Sequence, residues 1–354
     1  MTWRIVAVNP GSTSTKVALF EGDECIVRED IFHQFSGAME LWKQLPIRWE
    51  VLRRFLEEEC DQDVDAVVGR GGLLPPLQAG TYEVTPRMLD DLRSGRRGVH
   101  ASNLGAYLAR EAAKLWEVPA YIVDPVSVDE MDEVARVGGL KGIERESLCH
   151  ALNIRAVAHH FADDHELSFE ELRLVVAHLG SGVSMAAIRG GKLVDVINPR
   201  DEGPMGLDRP GALPNYGLME MCFDEGVSRR DMEGLLLGDG GVHSYLETRD
   251  LREVVRRRGE ADEMAALIFD ALVYDTAKWI GAMAAAMRGD LHALVLTGGM
   301  AHGDEFVDAL SEHIEWIAPV TTYPGEDELE ALARGALRVL RGQSPVREYA
   351  PELP

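Results

Sequence analysis

Positive charge is scarce in this chain. Thirty-six Lys and Arg stand against 60 Asp and Glu, a formal net charge of -24 over 354 residues. That balance excludes a partner gripped by a broad basic face, so neither nucleic acid nor an anionic membrane surface is expected. Only six of the cations are Lys (16, 43, 114, 141, 192 and 278). Where the chain gathers an anion it must rely mostly on Arg, which holds phosphate and carboxylate in bidentate fashion. Cysteine is also rare. The four (25, 60, 149 and 222) show no C-x-x-C and no metal-ligand spacing, as expected of reduced thiols in a cytoplasmic protein. No apolar run approaches ~18 residues, and the opening MTWRIVAVNP lacks a signal-peptide layout, so no membrane span or secretion is expected.

The remainder is ordinary globular composition, 46% hydrophobic and 27% charged, in a chain long enough for two domains. Near its start stands VNPGSTSTKVALF, residues 8–20. It resembles a Walker phosphate loop but departs from it: Gly11 is followed by Lys16, with Thr15 where the second Gly should stand. Nor does a helix come after it. KVALFEGDECIVRED predicts a strand, a turn at Glu21-Gly22-Asp23 and another strand, and WRIVAVN before the loop predicts a third. The loop therefore joins two strands. There its backbone N–H groups and hydroxyls could cradle a phosphate without a helix dipole, although an ordinary tight hairpin would read the same way.

The pattern recurs. RIVAVNPGSTSTKVALFEGDECIV, from Arg4, aligns without a gap on RLVVAHLGSGVSMAAIRGGKLVDV, from Arg173, an offset of 169 that matches Gly11 with Gly180, Ser12 with Ser181 and Gly22 with Gly191. A repeated phosphate hairpin predicts two similar α/β halves with a nucleotide between them. The intervening chain alternates accordingly. Helices are predicted over 41–59, over 100–116 with Ser102 or Asn103 as cap, over 143–164, as a buried central helix over 264–287, and over 327–342. Strands are predicted at VDAVVGRGG, PAYIVDPV and LHALVLTGG.

The repeated hairpin together with TGGMAHG (297–303) resembles the sugar kinase–actin–heat-shock ATPase superfold. VNPGSTSTK, VGRGGLLPP, HALNIRAVA, HLGSGVSMAA, DEGPMGLDRPGALP and YPGEDELEALARGAL resemble the acetate and butyrate kinase family, on its butyrate side. The resemblance runs from residue 4 to about 340. It implies an α/β fold of two actin-like (ribonuclease H-like) domains with a cleft between them. The division would be 1–150 and 151–354, with the last helix crossing back to the first domain. It implies phosphorylation of a short-chain carboxylate by ATP, most simply butyrate to butyryl phosphate with ADP, and with Mg²⁺. Such an acid is already ionised at neutral pH, so alignment and charge neutralisation are needed rather than a general base.

The resemblance also implies site residues. Asn9, Ser12, Ser14 and Lys16 would form the first phosphate site, with Asn9 near the metal. Arg70 would hold the substrate carboxylate and Arg209 would neutralise the phosphoryl group in transfer, Arg200 being the weaker candidate in the same loop. Asp124 would lie at the active site and His150 would donate to phosphoryl oxygens. His178, Gly180 and Gly182 would form the second phosphate site, and Gly298 and Gly299 would pack under the adenine. Asp327 or Glu328 would reach Mg²⁺. Each has a plainer alternative: a surface Arg, a turn Asp before Pro125, a core His, a strand-end glycine pair, acids at a helix start. Acetate, propionate and branched-chain acids remain alternative substrates. A nucleotide-binding regulator without an acyl substrate is the alternative outside catalysis, and a homo-oligomer is expected from the resemblance.

Overall fold

A computed structural model describes residues 2–35, 39–60, 62–224 and 226–351. The chain forms two compact units: Met1–Asp129 with Ala151–Asn153 and Asp327–Pro354, and Glu130–His150 with Ile154–Glu326.

The first unit is built on a six-stranded sheet. Its strands are β1 (Arg4–Pro10), β2 (Ser14–Glu21), β3 (Glu24–Phe32), β4 (Ala66–Arg70), β5 (Thr81–Glu83) and β6 (Ala120–Val123), in the order β3-β2-β1-β4-β6-β5. β1, β2 and β3 form an antiparallel meander, and β1, β4 and β6 run parallel. Every residue of β1 is buried. Its continuous apolar run is that of a strand covered on both faces. Helices Gly105–Ala113 and Glu328–Leu340 pack against β1, β4 and β6. Gly69 and Gly105 permit a very close approach, since a Cβ on Gly69 would run into the Gly105 carbonyl and one on Gly105 into that of Arg70. Arg70, one residue on from Gly69, therefore leaves the sheet at a tightly fixed point.

The second unit opens with a two-stranded hairpin, β7 (Val137–Leu140) and β8 (Ile143–Glu144). Its main sheet comprises β9 (Arg173–Leu179), β10 (Val183–Arg189), β11 (Lys192–Ile197), β12 (Ala293–Gly298) and β13 (Val320–Pro324), in the order β11-β10-β9-β12-β13. The first three are antiparallel and β9, β12 and β13 are parallel. The first unit's sheet has this same order apart from its extra edge strand, so each unit carries the strand arrangement that the repeat predicts. The core is a contiguous apolar cluster that includes Met185, Phe269, Leu272, Leu294 and Phe306. Among the described residues no helix is long and apolar enough to cross a membrane.

The repeat is real but not gapless. In β1–β2, Pro10 faces Thr15 across four loop residues; in β9–β10, Leu179 faces Val183 across three. The offset is 169 in the first strand of each hairpin and 168 from the second strand onward. Gly22 is thus the counterpart of Gly190, not of Gly191, and both have φ of 61°. Three helix expectations also change. The helix expected from 143 begins only at Ala151, because the Arg145 amide donates to the Arg136 carbonyl and extends the hairpin. The His100 side chain, not Ser102 or Asn103, caps the turn before Gly105, while Asn103 Oδ1 accepts from the Leu73 amide and steadies the loop after Arg70. The helix Glu263–Ala286 buries one face only and leaves Leu267 and Tyr274 exposed.

Candidate active site

In the first unit three predicted residues converge. Asn9 lies at the end of β1 and is buried, and Arg70 ends β4, two neighbouring parallel strands. Both reach Glu328, the first residue of the terminal helix: Asn9 Nδ2 donates to Oε2 and Arg70 Nη1 pairs with Oε1. One carboxylate thus meets an amide and a guanidinium in a half-buried setting, with Arg70 and Glu328 side chains 15% and 12% exposed. Asp327 has other engagements. Its side chain accepts from the Glu330 amide as the helix N-cap, and Arg28 Nη1 donates to it at 3.0 Å on the surface.

The loop between β1 and β2 exposes Ser12, and Ser14, which opens β2, is buried. Lys16 on β2 faces Asn9 on one side and Asp30 of β3 on the other. Beneath the loop lies Arg48, wholly buried on the helix Leu41–Glu59, which sequence reasoning missed. Its signal was present: Leu45, Arg48, Leu52, Phe55 and Leu56 follow one apolar helical stripe, and Arg is the odd member. Asp124 follows β6 with φ of 37°, an unusual conformation for a residue with a side chain. It is clamped on Gly80, whose N–H donates to Oδ1 at 2.7 Å and whose carbonyl accepts from the Asp124 amide at 3.0 Å.

In the second unit His150 precedes the helix Ala151–Asp164 and does not lie on it. Its ring stacks on that of His178, centroids 3.8 Å apart and planes at 13°. His178 is buried near the end of β9, with Nε2 3.2 Å from Glu326 Oε1. Ser184 faces His178 across β9–β10, and its Oγ bonds His150 Nδ1 at 2.8 Å and accepts from the His150 amide at 3.3 Å. Cross-strand partners share one face of a sheet, so Ser184 can fix His150 above the His178 ring. Ser184 was not predicted, since a lone strand Ser carries no signal.

Arg209 lies beside the second loop. The Asp208 amide donates to the Ser181 carbonyl, and a Cβ on Gly182 would meet Arg209 Cγ at 3.2 Å. Its Nε is 3.5 Å from Asp208 Oδ1. The segment is anchored by Arg145, also missed, which donates from Nε and Nη2 to Glu202 and from Nη1 to Asp195. Arg200 pairs instead with exposed Asp201. Gly180 is near His178, where a Cβ would sit 3.4 Å from Nε2. Gly298 has φ of 90° and lies so close to Leu179 that a side chain would collide with its backbone. Gly298 and Gly325 exchange two backbone hydrogen bonds, at 3.2 and 2.9 Å, tying the end of β12 to the turn before Glu326. Gly299 opens a short helical turn, Gly299–His302.

Residues 142–317 match the model of the acetokinase family. A probable butyrate kinase 2 of Caldanaerobacter subterraneus subsp. tengcongensis is 44% identical over 352 residues, 98% of this chain and 99% of that protein. A probable butyrate kinase of Listeria welshimeri is 43% identical, covering 99% of this chain and 100% of that protein. Among solved structures, an acetate kinase of Porphyromonas gingivalis is similar in fold with a TM-score of 0.80 at 21% identity, covering 96% and 100% of the two chains.

Proposed function

The chain belongs to the acetokinase family, and on that premise we propose that it transfers the terminal phosphoryl group of ATP to butyrate, reversibly, giving butyryl phosphate and ADP. ATP-dependent carboxylate phosphorylation is the activity; butyrate is the acid favoured by the near-full-length relatives. The observation that carries the reading is the meeting of Asn9 and Arg70 on Glu328, which sets a cation suited to an acid substrate beside oxygen donors suited to a metal.

The nucleophile is a carboxylate, ionised at neutral pH, so no side chain need remove a proton. The obstacle is repulsion between an anion and a polyanion. Arg70 would exchange Glu328 for the incoming carboxylate, and Arg209 would balance charge on the phosphoryl group in transfer. In the tautomer whose Nδ1 accepts from the Ser184 hydroxyl, His150 would carry its proton on Nε2 and could donate it to a phosphoryl oxygen. Asp124 would hold the substrate end of its loop in place through Gly80.

Mg²⁺ is part of the proposal. Among the described residues no three His, Cys, Asp or Glu gather as a metal cluster. Asn9 and Glu328 offer an amide and a carboxylate, the sparse protein set suited to an ion that keeps waters and takes phosphate oxygens for the rest. Asn9 and Glu328 would hold the ion, whose contribution when bound would be neutralisation of phosphate charge. A homo-oligomer is also proposed, supported by the exposed Tyr216, Met219, Met221 and Phe223 of the helix Asn215–Phe223, and light scattering tests it.

Trapping acyl phosphate as the hydroxamate, with acids from acetate to isovalerate, tests the substrate. Butyrate should give the highest kcat/KM. A maximum at acetate or isovalerate would reassign the acid, and nucleotide binding without product from any acid would favour a regulator.

A further inference from the structure

Arg48 lies where its helix should be apolar, wholly buried, with no ion-paired carboxylate among the described residues. Its donors are spent on one short segment and on its own helix. Nη1 donates to the Ser14 carbonyl at 2.8 Å and to Thr15 Oγ1 at 3.0 Å. Nη2 donates to the Gly11 and Ser12 carbonyls at 2.8 and 3.3 Å. Nε and Nη2 also reach Gln44 Oε1. The guanidinium carbon stands 5.2 Å from the centre of the Phe35 ring. Burial lowers its pKa to about 10, well above neutrality, so the group stays charged.

The remaining loop carbonyl, that of Thr13, accepts from the His33 amide at 2.8 Å. All four carbonyls from Gly11 to Ser14 are therefore occupied. The amides of Ser12 and Thr13, on exposed residues, have no hydrogen-bond partner among the described residues. A loop whose carbonyls are all engaged, with two backbone donors on exposed residues still unengaged, offers N–H groups to an anion. Behind it stands a cation whose burial is costly while no counter-charge is near.

We propose that Arg48 is the positioning residue of the first phosphate loop. It holds the carbonyls of Gly11, Ser12 and Ser14 inward, keeps the Ser12 and Thr13 amides presented to an anion, and supplies the positive charge behind them. The proposal rests on the kinase reading only in taking that anion to be a phosphate group of the nucleotide.

Titration calorimetry with ADP tests it, and needs no turnover. Leu52→Ala is the control, because Leu52 is wholly buried on the same helix. Arg48→Met should weaken ADP at least tenfold more than Leu52→Ala does. Arg48→Lys, with the charge kept but three donors in place of five, should fall between. Amide exchange at Gly11, whose N–H is held by the Ser14 carbonyl, should quicken in Arg48→Met and not in Leu52→Ala. Equal losses in the two variants, or wild-type affinity in Arg48→Met, would overturn the proposal. If Arg48→Met does not fold, Arg48→Lys decides: about threefold weaker ADP supports it, and unchanged affinity refutes it. Because ADP affinity is read directly, failure of the carboxylate assay would leave this result standing on its own.

Discussion

The imidazole of His150 lies face to face on that of His178, with ring centroids 3.8 Å apart. The pair is held from both ends, His178 by Glu326 and His150 by Ser184. Ser184→Ala removes the hydroxyl that bonds Nδ1 of His150 while leaving the strand intact. Loss of one such hydrogen bond costs about 1 kcal/mol, so kcat should fall roughly fivefold with the KM for ATP nearly unchanged. A coupled ADP-release assay checks it. Unaltered kcat would mean that His150 works without being fixed in this way.

Arg209→Ala should lose far more turnover than nucleotide affinity. Its charge is needed most while the phosphoryl group is between oxygens, so it acts on the transition state. A loss of ~3 kcal/mol, more than a hundredfold in kcat, is of the size seen when one such donor is removed. Measured side by side, near-normal kcat with a collapsed ATP dissociation constant would make Arg209 a binding residue only.

The two acids that open the last helix should separate cleanly. Glu328→Gln keeps the shape but removes the charge that meets Asn9 and Arg70, and should raise the Mg²⁺ concentration for half-maximal rate about tenfold, as loss of a direct or nearby ligand does. Asp327→Ala removes an N-cap and an exposed ion pair. It should cost about 1 kcal/mol of stability and leave the Mg²⁺ dependence alone. Metal titration of both variants, with thermal melts, decides. The opposite pattern would transfer the metal role to Asp327.

That separation shows where sequence stops informing. The two hairpins and the strands ending at Arg70, Val123 and Gly298 were legible, because a doubly covered sheet writes itself as apolar runs and the repeat supplied the hairpin pairing; the short edge strands Thr81–Glu83 and Val320–Pro324 and the order of the sheets were not. The one-residue difference between the two loops was not, since Gly22 can be matched by either of two adjacent glycines, Gly190 and Gly191. Asn9 and Glu328 stand 319 residues apart and meet only because the last helix packs on β1. Asp327 and Glu328 are chemically alike and adjacent; which one turns inward is decided by the cap that Asp327 makes. Arg48 and Arg145 left a weaker trace, because an Arg looks the same in a sequence whether it faces water or carbonyls.

Acid should loosen the first phosphate loop. His33 Nε2 lies 2.8 Å from Thr15 Oγ1, beside that loop, and the His33 amide holds the Thr13 carbonyl. Burial first, and then the Arg48 charge, lowers the His33 pKa below its ordinary value. Above about pH 6.5 the ring is neutral whether the loop is packed or released, so it adds no pH dependence. Below that, the released form takes up a proton that the packed form resists, and the loop's stability falls as pH falls. ADP affinity should therefore weaken between pH 7 and 5.5 more in the wild type than in His33→Gln, whose side chain can still bond Thr15 but cannot titrate. The variant is required because a nucleotide's terminal phosphate also titrates near pH ~6 and affects both proteins alike. Calorimetry at matched pH values gives the difference directly. Superimposable affinity profiles would show that the loop does not sense protonation of His33.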